Sequence, residues 1–120
     1  MNYDEMEAGT EMDRLIAEKV MGWQMGLGPA TVTKWWRRPG AEPPKQFARP
    51  VTAWVPSSDI ANAWEVVAHL RNSHWIDIQD MRAHYDVTIR RSVDERNPSC
   101  AVGDTAPLAI CRAALKAVQP

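Results

Sequence analysis

The amino-acid sequence predicts an α+β protein, a three-layer α/β/α sandwich in which about three helices cover a small antiparallel sheet. Apolar residues recur at every third or fourth position in residues 11–21, 57–72 and 105–118, as in amphipathic helices. Apolar and polar residues alternate instead in residues 74–79 and 83–93, as in half-buried strands. Helices grouped around two consecutive strands are typical of layered α+β domains.

The first predicted helix has one apolar face and a clear signal at each end. Thr10 is the expected N-cap, and Gly22 lies where a left-handed C-cap residue is needed. The residues expected on the buried face are Met12, Leu15, Ile16 and Val20.

The segment from residue 22 to residue 50 is interrupted by five of the nine prolines and by several glycines. Alternation predicts a short strand over residues 30–36, and a further strand is expected over residues 51–55. Between them we expect an exposed Pro/Gly-rich loop at about residues 37–50, because two adjacent prolines exclude helix there.

The second helix, residues 57–72, is expected to begin at Ser57 or Ser58, with Asp59 in the first turn. Trp64 is predicted to be the central anchor of its buried face. That face comprises Ile60, Ala63, Trp64, Val67 and Leu70.

The last helix, TAPLAICRAALKAV, is apolar on nearly all sides and is therefore expected to be buried. Thr105 is its predicted N-cap, and Pro107 lies in the first turn, where a missing N–H costs little. One apolar side is expected on the sheet, and the other against a second helix or in a homodimer interface. Cys111 is interpreted as a small buried hydrophobe. Residues 94–104, which precede the helix, have the composition of turns.

Composition and charge limit the classes of function. The chain has 120 residues, so we expect a single domain over residues 1–120. Fourteen basic and fifteen acidic residues nearly cancel, which argues against a broad phosphate-binding face and against an acidic mimic of DNA. We expect no membrane association and an intracellular protein with reduced thiols, a Cys100–Cys111 disulfide being the alternative. Six tryptophans predict indoles at a core edge or a binding face.

The sequence does not predict a metal site or a nucleophilic cysteine. Only His69 and His74 approach the spacing of paired zinc ligands, and they lie on either side of a helix end. Cys111 lies past the first turn of an apolar helix, where burial raises a thiol pKa. The remaining potential ligands are His84 and Cys100.

Carboxylates and glycines give no strong catalytic signal either. Asp77 and Asp86 are expected on the polar side of the hairpin, with Asp80 at its turn, where solvated acids are common. The GLG sequence at residues 26–28 lacks the rest of a phosphate-binding loop. We therefore expect no cofactor and no enzymatic activity.

The strongest candidate for binding is KWWRR, residues 34–38. Two adjacent indoles flanked by cations suit stacking on a base, with the arginines holding phosphate. Trp and Arg are also enriched in protein–protein hot spots, whereas strand alternation would place one indole in the core. RR recurs at residues 90–91, and neighbouring strands would join the arginines into a basic patch. The candidate binding residues are Trp35, Trp36, Arg37, Arg38, Arg90 and Arg91.

Three helical segments carry a resemblance to a known family. They are MEAGTEMDRLIAEKVMGW, SSDIANAWEVVAHL and TAPLAICRAALKAV. In this order they resemble the phage ABA sandwich domain family, which implies a helix–sheet–helix sandwich, a phage or prophage origin and the cytoplasm of an infected bacterium. The resemblance supplies no catalytic residues and does not extend to residues 24–56 and 80–104.

Together these observations favour a non-enzymatic binding protein that acts on a host protein, for instance as an inhibitor of a host defence system. The alternative is a nucleotide- or nucleic-acid-binding protein that sequesters its ligand with the Trp/Arg patch.

Overall fold

The structure is a computed structural model that describes residues 2–28, 33–42 and 45–119. The described residues form an α+β sandwich with three α-helices and two three-stranded antiparallel sheets. The predicted fold class is confirmed, but the strands divide between two sheets. Sheet A has the order β1 (Gln24–Leu27), β2 (Lys34–Arg37), β3 (Phe47–Pro50). Sheet B has the order β4 (Trp75–Asp80), β5 (Tyr85–Arg90), β6 (Ser99–Gly103). The helices are α1 (Thr10–Leu15, continued by a π-helical turn at Ile16–Val20), α2 (Ile60–Leu70) and α3 (Ala106–Val118).

Helix α1 has the predicted buried face, since Met12, Leu15 and the other expected residues are all buried. Its N-cap is Gly9, and Thr10 is the first helical residue, so the predicted cap is wrong by one position. Gly22 has φ +74°, the left-handed conformation expected after the helix.

Sheet A differs most from the sequence prediction. The strand expected over residues 30–36 is shorter and later, at Lys34–Arg37, and residues 29–32 lie outside the described residues. The loop expected at about residues 37–50 is narrower, because Arg37 ends β2 and Phe47–Pro50 form β3. The strand expected at residues 51–55 is a single 3₁₀ turn at Val51–Ala53.

Helix α2 begins one or two residues later than predicted, because Asp59 is the N-cap and accepts a hydrogen bond from the Asn62 N–H at 3.0 Å. Trp64 was predicted as the buried anchor, and this is wrong: its side chain is 52% exposed. Ile60, also predicted as buried, is exposed too. The helix is rotated so that a slightly different stripe faces the core: Ala63, Val66, Val67 and Leu70.

Sheet B confirms the predicted hairpin and adds a strand. Ile76 lies opposite Ile89 and Ile78 opposite Val87, which places the apolar residues of β4 and β5 on one face. The third strand, Ser99–Gly103, lies in the segment expected to consist of turns.

Helix α3 packs on β5 and β6, on α2 and on the π-helical turn that continues α1. The Thr105 hydroxyl accepts a hydrogen bond from the Leu108 N–H at 3.3 Å, so the predicted N-cap is confirmed. Contacts within the chain bury both apolar sides of the helix, and the homodimer is therefore not needed to account for them.

Candidate binding surfaces

The two adjacent tryptophans of KWWRR face opposite sides of sheet A. Trp36 is 1% exposed and belongs to the core, beside the fully buried Trp54. Because its indole is covered by protein, Trp36 offers no surface for stacking on a ligand. Trp35 lies on the other face of the strand and is half-buried. The prediction that both indoles bind is therefore wrong for Trp36, and Trp35 stays a candidate binding residue.

Arg37, the last residue of β2, and Arg38, which follows it, are held by neighbouring groups. Arg37 donates to the Gln46 side-chain oxygen at 3.2 Å and lies 5.5 Å from the Phe47 ring centroid. Arg38 donates to the Lys45 carbonyl oxygen at 2.8 Å. Trp35 meets Phe47 edge-on at 6.0 Å between ring centroids. One indole, one phenyl ring and one guanidinium thus share this face of sheet A.

Arg90 and Arg91 lie in and after β5, which belongs to sheet B. Strand β2 belongs to sheet A, so β2 and β5 are not adjacent strands, and the expected joining of their arginines into one basic patch does not occur. Arg90 donates to the Glu95 carbonyl oxygen at 3.3 Å, and the Glu95 carboxylate accepts from the Arg91 N–H at 2.5 Å. The two arginine pairs are therefore separate features.

The cysteines and carboxylates are arranged much as the sequence indicates. Cys100 is exposed and Cys111 buried, both as free thiols, and burial raises the pKa of the Cys111 thiol. Asp77 lies opposite Thr88 and Asp86 opposite Gln79, so the two acids are diagonal neighbours on the outer face of sheet B. Within residues 2–28, 33–42 and 45–119, no three His, Cys, Asp or Glu side chains cluster as metal ligands would.

A second surface, which the sequence did not predict, is a groove of about 690 Å³ between α2 and β4. Trp64 projects from the helix and Trp75 from the strand, and Trp75 is 61% exposed. Half-buried Ile76 and Ile78 form much of the groove wall on the strand side. The other lining residues are Val67, Arg71, Asn72, Ser73 and His74.

The sequence contained one signal for the exposure of Trp75, although not for the groove itself. Trp75 alternates with Ile76 in β4, so the strand pattern places its indole on the outer face, and it borders both the groove and a pocket shared with Asp77 and Thr88. Trp64 carried no such signal, because helical periodicity assigned it to the core. Three other indoles, Trp23, Trp36 and Trp54, are buried instead, near α1 and sheet A.

Such a fold, with two exposed indoles beside a groove, belongs to the class of small α+β sandwiches that offer an aromatic surface. The sequence model of the Phage ABA sandwich domain matches residues 14–115, and the chain belongs to this family of phage proteins. The fold is similar to that of a phage protein from Bacillus cereus, known from a crystal structure at 2.0 Å. That similarity has a TM-score of 0.60 at 24% sequence identity and covers 95% of each chain. No curated protein matches the chain. Within the described part of the chain, every helix is too short or too polar to span a bilayer.

Proposed function

We propose that the chain is a non-enzymatic binding protein of phage or prophage origin that acts on a host protein in the cytoplasm of the infected bacterium. Inhibition of a host defence system is the form of this role that phage origin and small size favour. The observation that carries the proposal is the pair of exposed tryptophans, Trp64 and Trp75, on either side of the groove between α2 and β4.

Two half-exposed indoles border one groove whose wall includes Val67, Ile76 and Ile78, so a partner seated there would bury apolar area. Burying apolar area on association contributes roughly 25 cal/mol per Å² before the costs of binding are subtracted. Tryptophan is also among the residues that most often dominate protein interfaces. The groove further contains Arg71, whose guanidinium makes no hydrogen bond or ion pair to any described residue and stays available to a partner.

The test is affinity capture from the host bacterium with tagged wild-type protein and two sets of variants. We expect one host protein to co-purify in stoichiometric amount and to be lost when Trp64→Ala and Trp75→Ala are combined. Trp35→Ala, a matched removal of an indole from sheet A, should retain the partner. Both indoles are exposed, so melting temperatures close to wild type are expected. Retention of the partner by the double variant, or no host partner at all, would contradict the proposal.

The alternative is that the chain binds a nucleotide or nucleic acid, and the exposed face of sheet A favours it. Trp35, Phe47 and Arg37 lie together there, and an aromatic face beside a cation suits a base and its phosphate. This hypothesis predicts that nucleotides or short oligonucleotides quench tryptophan fluorescence in the wild type and not in Trp35→Ala. Equal responses of the two proteins would contradict it.

A further inference from the structure

We infer that the free edge of strand β4 is a strand-addition site for an extended segment of a partner protein. The added segment would carry apolar side chains toward the groove and lysine or arginine on the opposite face. This inference rests on the proposed binding function and specifies the chemistry of the partner. It starts from the position of β4 at one edge of sheet B, where β5 is the one strand among the described residues that pairs with it.

The backbone groups that β4 leaves unpaired follow from the ladder. Met81 N–H donates to the His84 carbonyl oxygen at 2.9 Å, which continues the antiparallel pairing of β4 with β5. Hydrogen-bonded pairs alternate along such a ladder, so Asp77 and Gln79 bond to β5. The N–H and C=O groups of Ile76 and Ile78 therefore point away from the sheet, toward an added strand.

The opposite edge of sheet B is closed by side chains of α3. Lys116 donates to the Cys100 carbonyl oxygen at 2.6 Å, and Arg112 donates to the Val102 carbonyl oxygen at 2.9 Å. These are the outward carbonyls that the same alternation assigns to β6. On β4, no side chain in the described part of the chain donates to the carbonyl of Ile76 or Ile78. Proteins commonly block exposed strand edges, so the contrast marks β4 as the edge left open.

The open edge and the groove belong to one surface. The side chains of Ile76 and Ile78 point to the helix-covered face and line the groove with Trp64. An antiparallel added strand places its residues opposite these isoleucines with side chains on the same face. Backbone pairing would thus supply affinity, and the groove would select apolar side chains at alternate positions of the partner.

The charges of the edge select against a second copy of this chain. Strand β4 carries Asp77 and Asp80 and no lysine or arginine, and Asp86 lies beside it on β5. An antiparallel pair of two β4 strands centred on Asp77 would place the two Asp77 carboxylates opposite each other, which like-charge repulsion disfavours. A lysine or arginine on the outer face of the added strand would instead lie near Asp77. The occupant that fits is therefore a basic, amphipathic strand from another protein.

The test uses a short end-blocked peptide in which valine and lysine alternate, with amide hydrogen exchange followed by NMR. In the free protein the Ile76 and Ile78 amides should exchange quickly, and those of Asp77 and Gln79 slowly. The peptide should slow exchange at Ile76 and Ile78 about tenfold or more, because it satisfies these two donors. N-methylation of its valines, which face β4 in an antiparallel register, should abolish the effect, whereas N-methylation of its lysines should not.

Charge reversal is the second arm. Asp77→Lys should weaken binding of the valine–lysine peptide about fivefold and strengthen binding of a matched valine–glutamate peptide. No protection at saturating peptide, equal effects of the two methylations, or Ile76 and Ile78 already protected in a dimer of the free protein would each overturn the inference. The peptide result does not depend on host capture. Protection without a host partner would refute only the proposed function, and a captured partner without protection would refute only strand addition.

Discussion

At the scale of single residues, Asp13 is the charged group most embedded in the protein. Its carboxylate accepts a hydrogen bond from the Ser57 N–H at 2.8 Å, and the Ser57 hydroxyl in turn accepts from the Gly9 N–H at 3.0 Å. Burial raises the pKa of Asp13 above its ordinary 3.8, and hydrogen bonds from Ser57 offset only part of that shift. The folded state therefore favours the neutral acid more than the unfolded chain does.

This predicts the pH dependence of Asp13→Asn. In the wild type, the contribution of Asp13 to the free energy of unfolding should fall as pH rises from 3.8 through its raised pKa, because ionisation then stabilises the unfolded state more than the folded state. The amide retains an oxygen acceptor for Ser57 and carries no charge, so the variant should be more stable than wild type at neutral pH. Its advantage should disappear in acid. Urea unfolding across this range measures the difference, with Asp94→Asn, at an exposed position, as the control. An advantage that persists unchanged in acid would contradict the assignment.

For single residues, the sequence predicted burial correctly where the helical period alone determines the face on which a side chain lies. Cys111 and the buried face of α1 were predicted correctly because helical spacing leaves them no other orientation. Trp64 was not, because it lies at the border of its stripe. The core contains other indoles, and the rings of Trp23 and Trp54 are tilted against each other with 4.7 Å between their centroids. Trp23 lies outside any periodic segment, and the strand expected at residues 51–55 did not assign Trp54 to the core.

At the scale of secondary-structure elements, strand β6 and helix α3 approach each other closely at Gly103. A Cβ at this position would lie 2.8 Å from the Ala109 nitrogen and 3.1 Å from its Cα. Both atoms belong to the helix backbone, so relief requires the whole helix to move away from the sheet. Only glycine permits the observed spacing.

Gly103→Ala should therefore destabilise the protein by about 1–3 kcal/mol, the usual cost of overpacking a dense interior. The exposed Val102→Ala on the same strand should change stability by only about 0.5 kcal/mol. Thermal or urea unfolding of the two variants measures both values. Comparable stabilities of the two variants would contradict this prediction, because they would show that α3 can move away from β6 without loss of stability.

Helices and strands with long periodic patterns were predicted from the sequence, and short strands were not. The β4–β5 hairpin and α3 each have enough residues to establish a period. Strands β1 and β3 have four residues each and contain Gly26 and Pro50, which sequence patterns assign to loops. Strand β6 was missed because its buried positions are Ala101 and Gly103, small residues that carry little apolar signal.

At the scale of the whole molecule, a polar network connects sheet A to α2. The Glu65 carboxylate accepts a hydrogen bond from the Trp54 indole N–H at 2.8 Å and forms an ion pair with Arg49 of β3. Trp54 is fully buried, and Glu65 is the one hydrogen-bond partner of its indole N–H among the described residues. Arg49 is partly exposed, so water can replace its contact.

The two halves of this network should respond differently to mutation. Glu65→Ala leaves the indole N–H unpaired in the interior and should cost about 1–3 kcal/mol. Arg49→Ala removes only the partly solvated ion pair and should cost less than about 1 kcal/mol. Chemical denaturation of the two single variants tests this ranking, and a larger effect of Arg49→Ala would reverse the assigned roles.

The candidate surfaces were the least predictable property, because they depend on how the two sheets are placed. KWWRR contains suitable chemistry for a ligand, yet strand alternation places Trp36 in the core, and separate sheets keep its arginines apart from Arg90. The groove lies between α2 and β4. The open edge of sheet B at β4 is recognised only by comparison with the edge at β6, which side chains of α3 close. These are relations between elements, which no short stretch of sequence encodes.

The central position of α3 also affects how the chain folds during synthesis. Helix α3 covers β5 and β6 and touches α2 and the end of α1, yet it follows all of them in the chain. Domains fold as their parts leave the ribosome, from the N-terminus onward. Until α3 emerges, Val87, Ile89 and Ala101 have no cover, and the outward carbonyls of β6 lack Arg112 and Lys116. A nascent chain stalled before residue 106 would therefore present an apolar sheet face with both edges open, a natural substrate for chaperones and a risk for aggregation.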